Sequence, residues 1–229
     1  METRILADAG AVAREAARLI AAEARAGVAA RGRFVVAVSG GKTPWQMLRA
    51  LADEDVPWSG VHVVQVDERI APVGHADRNL THLCDSLGRA PLTPDHLHAM
   101  PVDQADLEAA ARGYARLLEQ IAGAPPVLDL VHLGLGPDGH TASLVPGDPV
   151  LNVADLDVSL TDVYMGRRRM TLTYPVLNRA RRVFWLVTGA DKAAMLSRLR
   201  TADSSIPAAR VHQERALILA DRDAAGEPA

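Results

Sequence analysis

The chain has 229 residues, 48% hydrophobic and 23% charged, enough for one large domain with a buried core. Its formal net charge of −3 gives no general attraction for nucleic acid or an anionic membrane, so neither is an expected partner and any anionic ligand must be held by a local cluster. Cys84, the single cysteine, excludes an internal disulfide framework and fits a reducing compartment, with the cytoplasm expected.

The Ala-rich stretch from Ala7 to Ala30 is interrupted by Asp8, Arg14, Glu15, Arg18, Glu23 and Arg25, so it reads as neither a signal peptide nor a membrane span. Val12, Ala16, Leu19 and Ile20 fall at helical spacing and predict an amphipathic first helix. Phe34 to Val38 is a short, mostly β-branched run that predicts a buried strand ending at Ser39-Gly40-Gly41. Pro44 then suits the first turn of a helix continued by Trp45, Met47, Leu48 and Leu51. A second strand, Val61 to Val66, closes on Asp67-Glu68-Arg69. Leu107, Ala111, Tyr114, Leu118 and Ile121 mark a helix ending at Gly123, followed by a strand from Leu128 to Leu133. Met170 to Thr173 and Val183 to Val187 predict further strands, then a helix over Lys192 to Arg200 and a last strand, Ala216 to Leu219. The alternation predicts an α/β domain over 1–220 with a mostly parallel sheet covered by helices; the polar residues from Asp221 onward are expected to be a disordered tail.

Ligand crevices of such sheets lie beyond the carboxyl ends of the strands, where three polar clusters fall. In Ser39-Gly40-Gly41-Lys42-Thr43, backbone N–H groups and a helix N-terminus are suited to a phosphate, although a plain strand-to-helix turn also needs glycine. It is not a nucleotide P-loop, because that spacing requires glycine where Val36 stands. Gly134, Gly136 and Gly139 fit a dinucleotide fingerprint, but only Thr141 to Val145 separates them from Pro146-Gly147, too short for the required helix. The same loop carries Asp138 and His140. A histidine there suits proton transfer near neutral pH and an adjacent carboxylate can orient it, while the plainer reading is a solvated loop histidine. The other seven histidines show no partner at ligand spacing and do not support a metal site. Without a G-x-S-x-G elbow, water is a better nucleophile than serine, and Ser39 and Ser143 read as hydrogen-bonding residues. Asp67 and Arg69 are suited to sugar hydroxyls and an oxyanion, or to a structural ion pair. Arg167-Arg168-Arg169 and Lys192 are two basic sites that either converge on a phosphate or form solvated faces.

Taken together, VAVSGGKTP, VQVDER, LGLGPDGHTASLVPG and RRMTLTYPVLNRARRVFWLVTGADKAAML resemble the 6-phosphogluconolactonase family, in order and with similar spacing over nearly the whole chain. Asn79 also fits that pattern. The resemblance implies a doubly wound, Rossmann-like fold related to glucosamine-6-phosphate deaminases, with no metal or other cofactor, and a place in the oxidative pentose phosphate pathway. It implies that Ser39, Gly40, Gly41, Thr43, Arg169 and Lys192 bind the phosphate of a sugar-phosphate lactone, with Arg168 as the alternative arginine. His140 is implied as the base, with Asp67, Arg69 and Asp138 lining the reacting end. A monomer or weak homo-oligomer is expected. Two rival activities share this phosphate site: an amino-sugar-phosphate deaminase or isomerase, and a non-catalytic sugar-phosphate sensor. Val145 stands where the related deaminases carry a glutamate used in proton transfer, which favours hydrolysis; the sensor would need an output domain that the sequence does not contain.

Overall fold

The computed structural model describes residues 1–227. β1 (Glu2–Leu6) leads into α1 (Ala9–Arg31). Asp8 starts that helix by accepting from the Ala11 N–H at 2.7 Å, and Gly32 ends it in the left-handed region with φ 72°. β2 (Phe34–Val38), α2 (Lys42–Leu51) and β3 (Val61–Gln65) form a βαβ unit. The chain leaves the main sheet at Val66, whose N–H still reaches the Val38 carbonyl at 3.0 Å, and enters the short β4 (Asp67–Arg69) and then α3 (Asn79–Leu87). β5 (Leu97–His98), α4 (Leu107–Ala122) and β6 (Leu130–Gly134) follow. The remaining elements are β7 (Val158–Leu160), β8 (Arg169–Leu172), α5 (Tyr174–Arg179), β9 (Val183–Val187), α6 (Ala193–Arg200), β10 (Ala216–Asp221) and α7 (Arg222–Ala225).

Seven strands pair in the order β1-β10-β9-β6-β2-β3-β5, all parallel. One face packs on α1, α2 and α3 through residues such as Ile20, Met47 and Leu83; the other packs on α4, α5 and α6 through Leu118, Leu177 and Leu199. The fold is therefore a doubly wound α/β sheet. Burial on both faces explains why β2, β9 and the first five residues of β10 read as unbroken apolar runs. β2 and β6 are neighbours whose onward connections run to opposite edges of the sheet, so the crevice expected at a topological switch opens beyond their carboxyl ends.

A second, antiparallel sheet, β4-β8-β7, stands over that crevice. Its register sets Arg69 directly opposite Arg169 and Asp67 opposite Thr171. Strand alternation then turns Glu68 to the other side. There its buried carboxylate accepts from Asn79 N at 2.7 Å and Leu80 N at 2.8 Å, satisfying the first amides of α3 from a different element.

The expected tail is corrected. Asp221 closes β10, caps α7 by accepting from Ala224 N at 2.8 Å, and also accepts from Gly189 N at 3.0 Å, while Glu227 N returns to the Arg222 carbonyl. A single carboxylate with local and distant donors orders a stretch whose composition alone suggests solvent. Residues 228 and 229 of the expected tail lie outside the described residues. Among the described residues, no helix is long and apolar enough to cross a membrane.

Candidate active site

A cleft of about 140 Å³ lies at the switch point between the two sheets. The turn after β2 contributes Ser39 and Gly40, β4 contributes Asp67 and Arg69, α3 contributes Asn79, the end of β6 contributes Gly134, the loop after it contributes Gly136 and His140, and β8 contributes Arg169. Residues far apart in sequence are thus gathered by strand ends that the parallel sheet places side by side.

His140 Nδ1 lies 2.6 Å from Asp138 Oδ1, and the same oxygen accepts from the His140 backbone N–H at 3.1 Å. With Nδ1 engaged by the carboxylate, Nε2 is the nitrogen left for a reacting proton. Burial pushes the Asp138 carboxyl up, but donation from the His140 amide, the His140 charge and ring, and the Tyr164 hydroxyl together hold it below the usual aspartate value. Gly136 makes room for the imidazole: a Cβ there would sit 2.1 Å from His140 Nδ1.

Asp67 is buried and anchored on both oxygens. Ser143 Oγ donates to Oδ2 at 2.6 Å and Asn79 Nδ2 to Oδ1 at 3.2 Å. Asn79 Oδ1 in turn accepts from Arg69 Nη1 at 3.0 Å. Gly40 is required by the same group, because a Cβ there would meet Asn79 Oδ1 at 2.1 Å. Arg69 and Arg169 each keep a buried Nε–H with no protein acceptor, so the cleft holds two guanidinium groups with spare donors. Burial lowers the Arg169 pKa from its ordinary value, Asp67 opposes that, and Arg69 adds to it.

The three consecutive arginines are separated by the structure. Arg167 pairs with Asp77 at 2.9 Å, the exposed Arg168 donates to the Thr161 carbonyl at 3.1 Å, and Arg169 alone lines the cleft. Ser39 lines it too, yet its N–H and hydroxyl are spent on His132 Nδ1 (3.2 Å) and the His132 carbonyl (2.9 Å), so Ser39 shapes the turn. Burial pushes His132 down to about 3, keeping it the neutral acceptor this contact needs. Gly41, Thr43 and Lys192 stand outside the cleft wall. Thr43 Oγ1 contacts Thr188 Oγ1 at 2.7 Å, and Lys192, which ends a turn just before α6, pairs with Asp191 at 2.9 Å. α2 begins at Lys42 with no side-chain cap, leaving its first amides free beside Gly40.

Sequence reasoning missed Tyr164, whose hydroxyl donates to Asp138 Oδ2 at 3.0 Å and whose ring lies 5.0 Å from the Arg169 guanidinium carbon. No local signal in a polar loop could have placed it there. Val145 is buried at 5% exposure and carries no titratable group to the loop. Among the described residues, no group of three or more His, Cys, Asp or Glu side chains is arranged to hold a metal ion.

The family profile described as glucosamine-6-phosphate isomerases/6-phosphogluconolactonase matches residues 7–219. The chain is 40% identical to the 6-phosphogluconolactonase of Synechocystis, over 75% of this chain and 73% of that protein. It is 37% identical to the one from Mycobacterium tuberculosis, over 88% of each. Among solved structures, the 6-phosphogluconolactonase of Thermotoga maritima superposes with a TM-score of 0.85 at 26% identity, covering 96% of this chain and 98% of that one. A monomeric glucosamine-6-phosphate deaminase shares the fold, with a TM-score of 0.87 at 18% identity and full coverage of both chains. The chain belongs to the glucosamine-6-phosphate isomerase/6-phosphogluconolactonase family.

Proposed function

We propose that the protein is a 6-phosphogluconolactonase, opening 6-phospho-D-glucono-1,5-lactone to 6-phospho-D-gluconate in the oxidative pentose phosphate pathway. The observation that carries this reading is that His140, held by Asp138 from behind the cleft wall, lines the same cleft as two arginines with spare donors. His140 Nε2 takes a proton from water as that water attacks the C1 carbonyl. Arg69 stabilises the tetrahedral oxyanion, and protonated His140 returns the proton to the departing ring oxygen. Asp138 holds the imidazole, and Asp67, fixed by Ser143 and Asn79, orients sugar hydroxyls.

Arg169, the Gly40 turn and the uncapped start of α2 hold the phosphate, with Gly41, Thr43 and Lys192 at its outer edge. Ser39 serves this group by fixing the turn. Water, a base and an oxyanion stabiliser suffice for the chemistry, so the proposal invokes no metal or cofactor, and no nucleic-acid or membrane partner. The single cysteine fits a cytoplasmic enzyme, and the proposed assembly is a monomer or weak homo-oligomer.

The deaminase reading is disfavoured because Val145 supplies no carboxylate. Purified protein mixed with fresh lactone should release 6-phosphogluconate far faster than spontaneous opening and release no ammonia from glucosamine 6-phosphate. The opposite pattern would reverse the assignment, and tight sugar-phosphate binding without turnover of either compound would favour a sensor.

A further inference from the structure

We infer that Tyr164 is a positioning residue: its hydroxyl holds the carboxylate that orients His140, while its ring supports the guanidinium of Arg169. The inference rests on the lactonase reading with His140 as base. Asp138 divides its two oxygens between partners, Oδ1 taking His140 at 2.6 Å and Oδ2 taking the Tyr164 hydroxyl at 3.0 Å. The carboxylate is therefore clamped from both sides and cannot rotate away from the imidazole. The Tyr164 ring also meets the His140 ring edge-on, with centroids 5.5 Å apart, and Arg169 lies over its face. One aromatic side chain thus touches the base, its orienting carboxylate and the arginine assigned to phosphate.

Its placement is built into the backbone. Tyr164 and Arg167 exchange backbone hydrogen bonds at 3.0 and 3.2 Å around Met165 and Gly166, whose φ values are 49° and 77°. That is a two-residue hairpin with both central residues left-handed, the tight turn that matches strand twist. Arg167 ties the turn to Asp77 through two hydrogen bonds, at 3.1 and 2.9 Å. Burial and the Asp138 contact both raise the Tyr164 pKa, so the phenol stays a neutral donor at working pH.

Tyr164→Phe removes the hydroxyl and keeps the ring, whereas Tyr164→Leu removes both. The other charged groups sharing the cleft with His140, namely Asp67, Arg69 and Arg169, are unchanged in either variant. Without the phenol, the Asp138 carboxylate loses a donor that helps hold its pKa down, so it takes up its proton at higher pH. For Tyr164→Phe the acid limb of the kcat/KM profile should move to higher pH, with kcat at neutral pH down about fivefold and KM within about twofold. For Tyr164→Leu, KM should rise about tenfold as well, because Arg169 loses its platform, and phenylalanine should restore that KM.

A readout independent of turnover is the carboxyl-carbon NMR titration of Asp138, whose midpoint should rise in Tyr164→Phe. With His140→Ala inactive, an unmoved Asp138 titration and wild-type kinetics in Tyr164→Phe would overturn this inference alone. Wild-type rates from His140→Ala would overturn the base assignment, and the positioning role with it.

Discussion

Glu68→Gln removes a single charge that the structure uses five times. The carboxylate is fully buried; Oε1 accepts from Arg69 N and Asn79 N at 2.8 and 2.7 Å, and Oε2 from Leu80 N and Gln65 Nε2 at 2.8 and 2.9 Å. Arg78, itself buried, adds an ion contact at 3.2 Å, off the direction of a good hydrogen bond. A glutamine amide accepts on one oxygen only, so two of the four donors face an NH2 group whichever way it is turned. Each orphaned buried donor costs about 1–3 kcal/mol. Arg78 keeps its hydrogen bond to the Ala71 carbonyl but loses its counter-charge. The expected loss is about 3–5 kcal/mol, in the range for breaking a buried ion pair and a large part of the roughly 5–15 kcal/mol that holds a domain folded.

Urea unfolding should show a lower midpoint at unchanged slope. Because Glu68 also fixes the backbone of Arg69 and Asn79, activity should fall below the unfolding range. In Glu68→Gln/Arg78→Met the cation is removed too, so the double variant should lose less than the sum of the singles, by about 1–3 kcal/mol. A loss below about 1 kcal/mol for Glu68→Gln, or strict additivity, would refute the reasoning.

Two glycine substitutions separate catalysis from stability. In Gly136→Ala the new Cβ falls 2.1 Å from His140 Nδ1, and the imidazole, being a side chain that can turn, gives way; kcat should drop about 10²-fold with the unfolding midpoint nearly unchanged. In Gly40→Ala the Cβ meets Asn79 Oδ1, which is buried and tied to Asp67 and Arg69, so stability should fall by about 1–3 kcal/mol together with a higher KM. Acidification should also weaken the fold. Burial and then the neighbouring His96, His98 and Arg33 lower His62 to about 4, and burial lowers His132 to about 3. The unfolded chain, titrating near 6.5, binds these protons first, so stability is fully present above about pH 6.5 and is lost as pH falls toward 4 and below. Unfolding midpoints that do not change between pH 7 and 4 would contradict it.

How much of this was legible depended on where the stabilising partner lies. β2, β6, β9 and β10 announced themselves because burial on both faces demands continuous apolar sequence, and α1 and α4 carry apolar faces with local caps at Asp8 and Asp106. β4 was read only as a polar strand end, since Asp67-Glu68-Arg69 looks like a charged turn until β8 is set beside it. α3 was not anticipated, because its first amides are satisfied by Glu68 across eleven and twelve residues. At the site, the turn at Ser39 and the Asp138–His140 pair were visible as polar residues at strand ends. The pairing of Tyr164 with Asp138 was not, because it depends on a hairpin whose position is set by Arg167 and Asp77. The arginine run could be narrowed by position but divided among three partners only once β8 was placed.

The central claim is that His140 is the base that activates water, and it is tested most directly by comparing lactone opening by His140→Ala and the unaltered protein at matched unfolding midpoints. Single-turnover measurement of 6-phosphogluconate formation, corrected for spontaneous opening, should show a loss of about 10²–10⁴-fold, the usual contribution of a positioned acid–base group. A variant within a few-fold of the unaltered rate would contradict the account.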